Sequence, residues 1–419
     1  MKKWIVALLC LLQATCLYAI DIAVGQGRVA AKPIAVVPFA GNTQGDKIDF
    51  IVSSDLKQSG VFAPIAPSSY TARPVNINQI DYAAFRNLGA AYIVIGKKVN
   101  GQSIRFTIAD TFQKQIVGSY TVDVAPKTLR QSAHAVSDII LEKLTGVRGA
   151  FATRLVYVYE TGRGPSKKYQ IVISDSDGAN TITLLSTSAP VMSPRFSPNG
   201  KYIAYVTFEG KHAQIVTHNI KTGRRALVVK EPGMNSSPAW SPDGSKLAMV
   251  LSRDGNPEIY FKNLLSGRLV RVTNNMAIDT EPAWAPDGQS LYFTSNRNGA
   301  PQLFNINLGS GTVKRITNTG SYSAGADISP DGRKIALARN SGGRFIIGTI
   351  DIGSPQFKAV STGFVDETPH FSPNGKMLIY TSVKNGREVI KIVNIDGSGT
   401  NTLSTSGKIR DPDWSTHIQ

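Results

Sequence analysis

Five histidines, His134, His212, His218, His370 and His417, are the residues best suited to proton transfer or metal ligation in this 419-residue chain. Their spacing follows no metal-ligand pattern, so each is expected on the surface or in a loop. His370 stands beside the motif "DETP" and is the one placed to serve as a lyase-type base. Nucleophile chemistry is sparse. The two cysteines, Cys10 and Cys16, both fall in the first nineteen residues, so a processed chain has no thiolate or disulfide. A hydrolase elbow needs Gly-x-Ser-x-Gly, but in "GSYSAG" Ser321 stands two positions before Ser323. "SDSDGAN" (174–180) lacks the closing bidentate Glu of a calcium loop and reads as a hairpin turn. "GQG" (25–27) is followed by no Lys-Ser/Thr helix and is no phosphate loop. No catalytic residue, cofactor or metal is expected.

The spacing that does carry information is longer. "FSPNGKYIAYV", "WSPDGSKLAMV", "WAPDGQSLYFT", "ISPDGRKIALA" and "FSPNGKMLIYT" begin at 196, 240, 284, 328 and 371, and "WST" follows at 414. A repeat of about 44 residues with strand-like patterning predicts propeller blades of four strands. In one unit, 237–241 is a short strand and Pro242-Asp243-Gly244 a tight turn, because Pro presets φ, Asp bonds local backbone and Gly relieves strain. "KLAMVL", "EIYFKNL" and "RLVRVT" supply the other three strands. Ahead of the first motif lie three unaccompanied strands, "RLVYVYE", "YQIVISD" and "TITLLST", and the chain ends on "DPDWS" (411–415). Joined, these pieces make a sixth blade, so Trp414 is expected to close the ring and hide the edges an open sheet would expose.

Such a ring gathers the loops that lead into its inner strands around one mouth of the channel. Here they hold Met234, Asn235 and Ser237; Asp279, Thr280 and Glu281; Ser321 and Tyr322; and Asp366, Glu367 and Thr368. Taken together they point to a partner site.

Residues 33–148 do not repeat. Strands at 33–39, 61–66, 91–99, "SIRFTIADT" and "IVGSYTVDV" alternate with helices at 46–60, 77–89 and 128–146, which makes a small α/β domain. The expected organisation is a signal peptide at 1–19, a mobile segment at 20–32, the α/β domain at 33–148 and an all-β six-bladed propeller at 152–419. Lys2 and Lys3 ahead of the apolar run 4–17 give the export signal, too short for a comfortable membrane span. The net charge of +17 comes from dispersed lysines and arginines rather than a basic run with aromatics, and export argues further against nucleic acid.

The signal, the head segment, the α/β domain, the linker "GAF.TRL.YV" and the stretches "KPIAVVPFAG", "NNMAIDTEPAWAPDG" and "FVDETPHFSPNG" together resemble the TolB family, periplasmic components of the Tol–Pal system. The resemblance covers essentially the whole processed chain. It implies a monomeric, non-enzymatic periplasmic adaptor, peripheral to the envelope membranes, that supports outer-membrane integrity and constriction at division. Its propeller mouth would bind the lipoprotein Pal, with Thr280 in the matching "TEP" and Met234 and Ser237 at equivalent loop positions. Its N-terminal segment, Ile20, Asp21, Ile22, Ala23 and Val24, would bind TolA. Some colicins use the same groove in this family. The alternative is a periplasmic propeller enzyme acting on an oligosaccharide or peptide.

Overall fold

A computed structural model describes residues 30–41, 47–124, 129–210, 212–354 and 356–417. The signal at 1–19 and the segment 20–24 expected to bind TolA lie outside these residues.

The first unit is built on period-two alternation. Along β1 (Lys32–Val36), Ile34 and Val36 face one side of the sheet and Ala35 faces the other. The sheet runs β2 (Phe62–Pro64), β1, β3 (Tyr92–Val99), β4 (Ser103–Asp110), β5 (Gln115–Asp123). Its first three strands are parallel and its last three antiparallel. Helices α1 (Ile48–Gln58) and α3 (Leu129–Thr145) cover the Ile34 face with Ile51, Val52, Leu56, Val136 and Ile140. The short α2 (Tyr82–Asn87) covers the other with Phe85. The helix expected over 77–89 is two pieces. Asp81 accepts the N–H groups of Ala83 and Ala84 at 3.0 Å each, which restarts the helix after a turn at Ile77–Gln79.

Among the described residues, the rest is six four-stranded sheets, each running from an inner strand outward. The inner strands are Val191–Phe196, Asn235–Trp240, Asp279–Trp284, Ser323–Ile328, Asp366–Phe371 and Lys408–Trp414, taken as blades 1 to 6. Each touches the next and the sixth touches the first, so the sheets form a closed ring. In blade 6 the inner strand pairs antiparallel with Arg154–Thr161, Trp414 opposite Leu155 and Lys408 opposite Glu160. Trp414 is buried and its Nε1 donates to the Thr153 hydroxyl at 2.6 Å.

The repeated Ser-Pro-Asp/Asn-Gly turn has a physical basis. In blade 2, Ser241 Oγ donates to Asp243 Oδ1 at 2.5 Å and accepts the N–H of Lys246 at 2.9 Å, which clips the turn to the following strand. Ser329 with Asp331 and Ser372 with Asn374 repeat the clip. Neighbouring blades are tied where Trp240 donates to the Arg195 carbonyl and Trp284 to the Ala239 carbonyl.

Candidate partner-binding site at the channel mouth

Every inner strand carries one left-handed residue at the same place: Ser193, Ser237, Glu281, Gly325, Thr368 and Asp411, with φ between 50° and 66°. Strand pairing slips at each of these bulges. A proline follows five of the six, at 194, 238, 282, 369 and 412. Proline has no N–H for the ladder, so a strand that carries one in mid-run must bulge there. A side chain held left-handed costs about 1–3 kcal/mol, and local bonds offset this. Glu281 Oε2 accepts the N–H of Gly325 in the next blade at 2.8 Å and the Thr294 hydroxyl at 2.7 Å. Asp411 Oδ2 accepts the N–H of Ser193 at 3.1 Å, lacing blade 6 to blade 1.

The expected mouth residues divide by depth. Asn235, Asp279 and Asp366, each the first residue of its strand, are fully buried and spend their side chains on the loops before them. Asn235 closes on Glu231, Asp366 accepts the N–H of Gly363, and Asp279 pairs with Arg297 at 2.7 Å. Ser237, Glu281 and Thr368 line a channel cavity of about 540 Å³. Met234, Ser321 and Glu367 are exposed, and Thr280 and Tyr322 half-buried. Burial raises the Tyr322 hydroxyl pKa, and the Glu281 and Glu367 carboxylates raise it further. Burial likewise raises Glu367, with Glu281 and Asp411 adding to it. Residues from blades 3, 4, 5 and 6 therefore share one electrostatic environment.

Sequence reading missed the apolar part of this rim. Met276 is 99% exposed and Phe364 66% exposed, and Met192 and Ile278 are also exposed. Phe364 sits against blade 4, its carbonyl accepting the N–H of Phe345, whose ring meets Tyr322 edge-on at 5.2 Å. Large exposed apolar side chains in loops next to the "TEP" and "DETP" copies were the available signal.

His370 lies in the channel wall, Nδ1 at 3.6 Å from an Asp327 oxygen and 3.8 Å from an Asp413 oxygen. Asp413 is raised by burial, while His370 and Arg195 oppose the rise. Two other histidines correct the expectation of surface positions, since His134 and His218 are buried. His134 meets Asp175 and Asp177 at the junction of the two units, a cluster with no trace in sequence spacing because its members come from α3 and from the second hairpin turn of blade 6.

The chain matches the family model of the TolB beta propeller domain over residues 141–418 and that of the TolB amino-terminal domain over residues 20–117. The chain belongs to the TolB family. Over 237 residues it is 39% identical to the Tol-Pal system protein TolB of Methylococcus capsulatus, covering 56% of each chain. Over 226 residues it is 40% identical to that of Haemophilus influenzae, covering 52% of each. The chain thus spans about half the length of these TolB relatives. The crystal structure of TolB from Acinetobacter baumannii superposes with a TM-score of 0.87 at 36% identity, over 93% of this chain and 98% of that one. Among the described residues, no helix is long and apolar enough to cross a membrane.

Proposed function

We propose that this protein is a non-enzymatic adaptor of the Tol–Pal system in the periplasm, exported by residues 1–19. Its propeller, 152–419, docks the lipoprotein Pal at the mouth framed by the inner-strand loops. The processed N-terminus, Ile20 to Val24, engages TolA, and the α/β domain, 33–148, lies between the two sites. The linkage supports outer-membrane integrity and constriction at division, and the same mouth is open to colicins. The observation that carries this reading is the rim, where the loops entering the inner strands leave Met234, Met276 and Phe364 exposed together with Glu367, whose carboxylate feels that of half-buried Glu281. Apolar anchors around fixed polar groups are how protein interfaces gain both affinity and register.

Titration with the soluble domain of Pal tests it. The unaltered chain should bind, and Met276→Asp with Phe364→Asp should weaken binding at least about tenfold, each substitution placing a charge in a desolvated contact. Their exposed positions should leave the melting temperature unchanged. Wild-type binding retained by both variants would remove the mouth from the interface. The same titration with Thr280 and Glu281 replaced by bulky or reversed groups reports on the deeper wall.

A further inference from the structure

His134 is fully buried on α3, and its Nδ1 lies 2.7 Å from Asp55 Oδ2 on α1. The Ser137 hydroxyl donates to the same Asp55 oxygen at 2.7 Å, so that carboxylate is a fixed acceptor and Nδ1 carries its hydrogen. This orients Nε2, which is buried without a hydrogen-bond partner, toward the blade 6 turn. Its nearest oxygen there is Asp177 Oδ2 at 3.5 Å, and an Asp175 oxygen lies in the same group, all within 4.8 Å.

A lone pair on Nε2 facing two carboxylates is repulsive unless something positive stands between them. A proton can do this, and so can a metal ion. Bonds of about 2.0–2.1 Å at a tetrahedral zinc put neighbouring donors about 3.4 Å apart, close to the 3.5 Å between Nε2 and Asp177 Oδ2. An imidazole fixed by a carboxylate on its far nitrogen is the outer support that metal-bound histidines have. Asp177 also accepts from Arg130, and Asp175 accepts from Gln131 at 3.2 Å and Asn180 at 2.7 Å. Arg130 is about one-third exposed on its helix and can swing away as the ion enters.

We infer that His134 Nε2, Asp175 and Asp177 form a site for a divalent zinc-type cation that fastens α3 of the first unit to blade 6 of the propeller. The ion displaces the proton that otherwise bridges Nε2 and Asp177, and water completes its coordination. One proton should therefore leave with each ion bound.

Calorimetric titration of the metal-stripped chain with zinc chloride, in two buffers of different ionisation enthalpy at pH 7.5, tests this. One ion per chain should bind with release of about one proton, and affinity should fall about tenfold from pH 7.5 to 6.5. His134→Gln, which can still bond Asp55, and Asp175→Asn should each lose this event, while His212→Gln and His417→Gln keep it. Zinc should raise the melting temperature of the wild type and not of His134→Gln. Binding without proton release, or binding equally strong in His134→Gln and Asp175→Asn, overturns the assignment and leaves the proton as the bridge.

Discussion

At the scale of single residues, the junction between the two units gathers buried charge. Asp175 and Asp177 of blade 6 meet His134 and Arg130 of α3 across it, Asp55 of α1 holds the far side of His134, and Asp138 of α3 accepts the N–H groups of Phe151 and Ala152. Burial alone would lower the His134 pKa, but the Asp55 and Asp177 carboxylates outweigh it and hold the imidazole up at about 10. Burial raises Asp138 to about 7, against the N–H groups of Phe151 and Ala152 that favour its charged form. Both folded values exceed the unfolded ones. The stability from His134 is therefore full below the ordinary value of 6.5 and is lost as pH rises through about 10. That from Asp138 is full below 3.8 and lost through about 7, so the two act in the same direction. With chelator present, the free energy of unfolding is expected to fall from pH 6.5 to 10, and His134→Gln should flatten that slope. Urea unfolding at four pH values checks this, and an equal slope in the variant would refute it. None of this was legible in sequence, because Asp55 and Asp177 lie far from His134 along the chain and only the packing of α1, α3 and blade 6 brings them together.

At the scale of elements, the repeat told most of the story. Turn chemistry at Ser-Pro-Asp-Gly depends on a few adjacent residues, so it could be read directly, and the clip from Ser241 to Asp243 and Lys246 is its physical content. The bulges were equally local, marked by proline at 194, 238, 282, 369 and 412, yet reading the strands for alternation alone hid them. The split of 77–89 went unread for a related reason, since a capping Asp81 competes with a continuous helix. The last strand proved longer than its motif, beginning at Lys408. Trp414 fills the seam of blade 6, so Trp414→Ala should cost about 3–5 kcal/mol, typical of a buried tryptophan truncation. Removing 408–419 should abolish cooperative unfolding, because the innermost strand of a blade goes with it. Thermal denaturation monitored by circular dichroism checks both, and an unshifted transition in either variant would contradict the seam.

At the scale of the whole molecule, the ring sets which loops meet. Six inner strands put Glu281, Tyr322 and Glu367, from three blades, in one another's field, and hold Met276 and Phe364 on the same rim. We expect the two proposed partner sites to be separable. Deleting residues 20–24 should abolish capture of TolA while capture of Pal by the mouth stays at the wild-type level, measured by affinity pull-down from crosslinked envelopes. Loss of both would show that the N-terminus also supports the mouth.

The sequence by itself determined the blade count, the turn chemistry and the family, because each rests on residues close together in the chain and repeated at a fixed spacing. It also determined which loops lead into the inner strands. Only the tertiary structure decided which residues of those loops are left exposed at the rim. Asn235, Asp279 and Asp366 turn inward to satisfy backbone and arginine donors, whereas Met276 and Phe364 are left in water. The same holds for His134. A buried polar group takes its partners from whatever the packing places beside it, and that neighbourhood is fixed by the closure of the ring and the docking of α3, not by spacing along the chain.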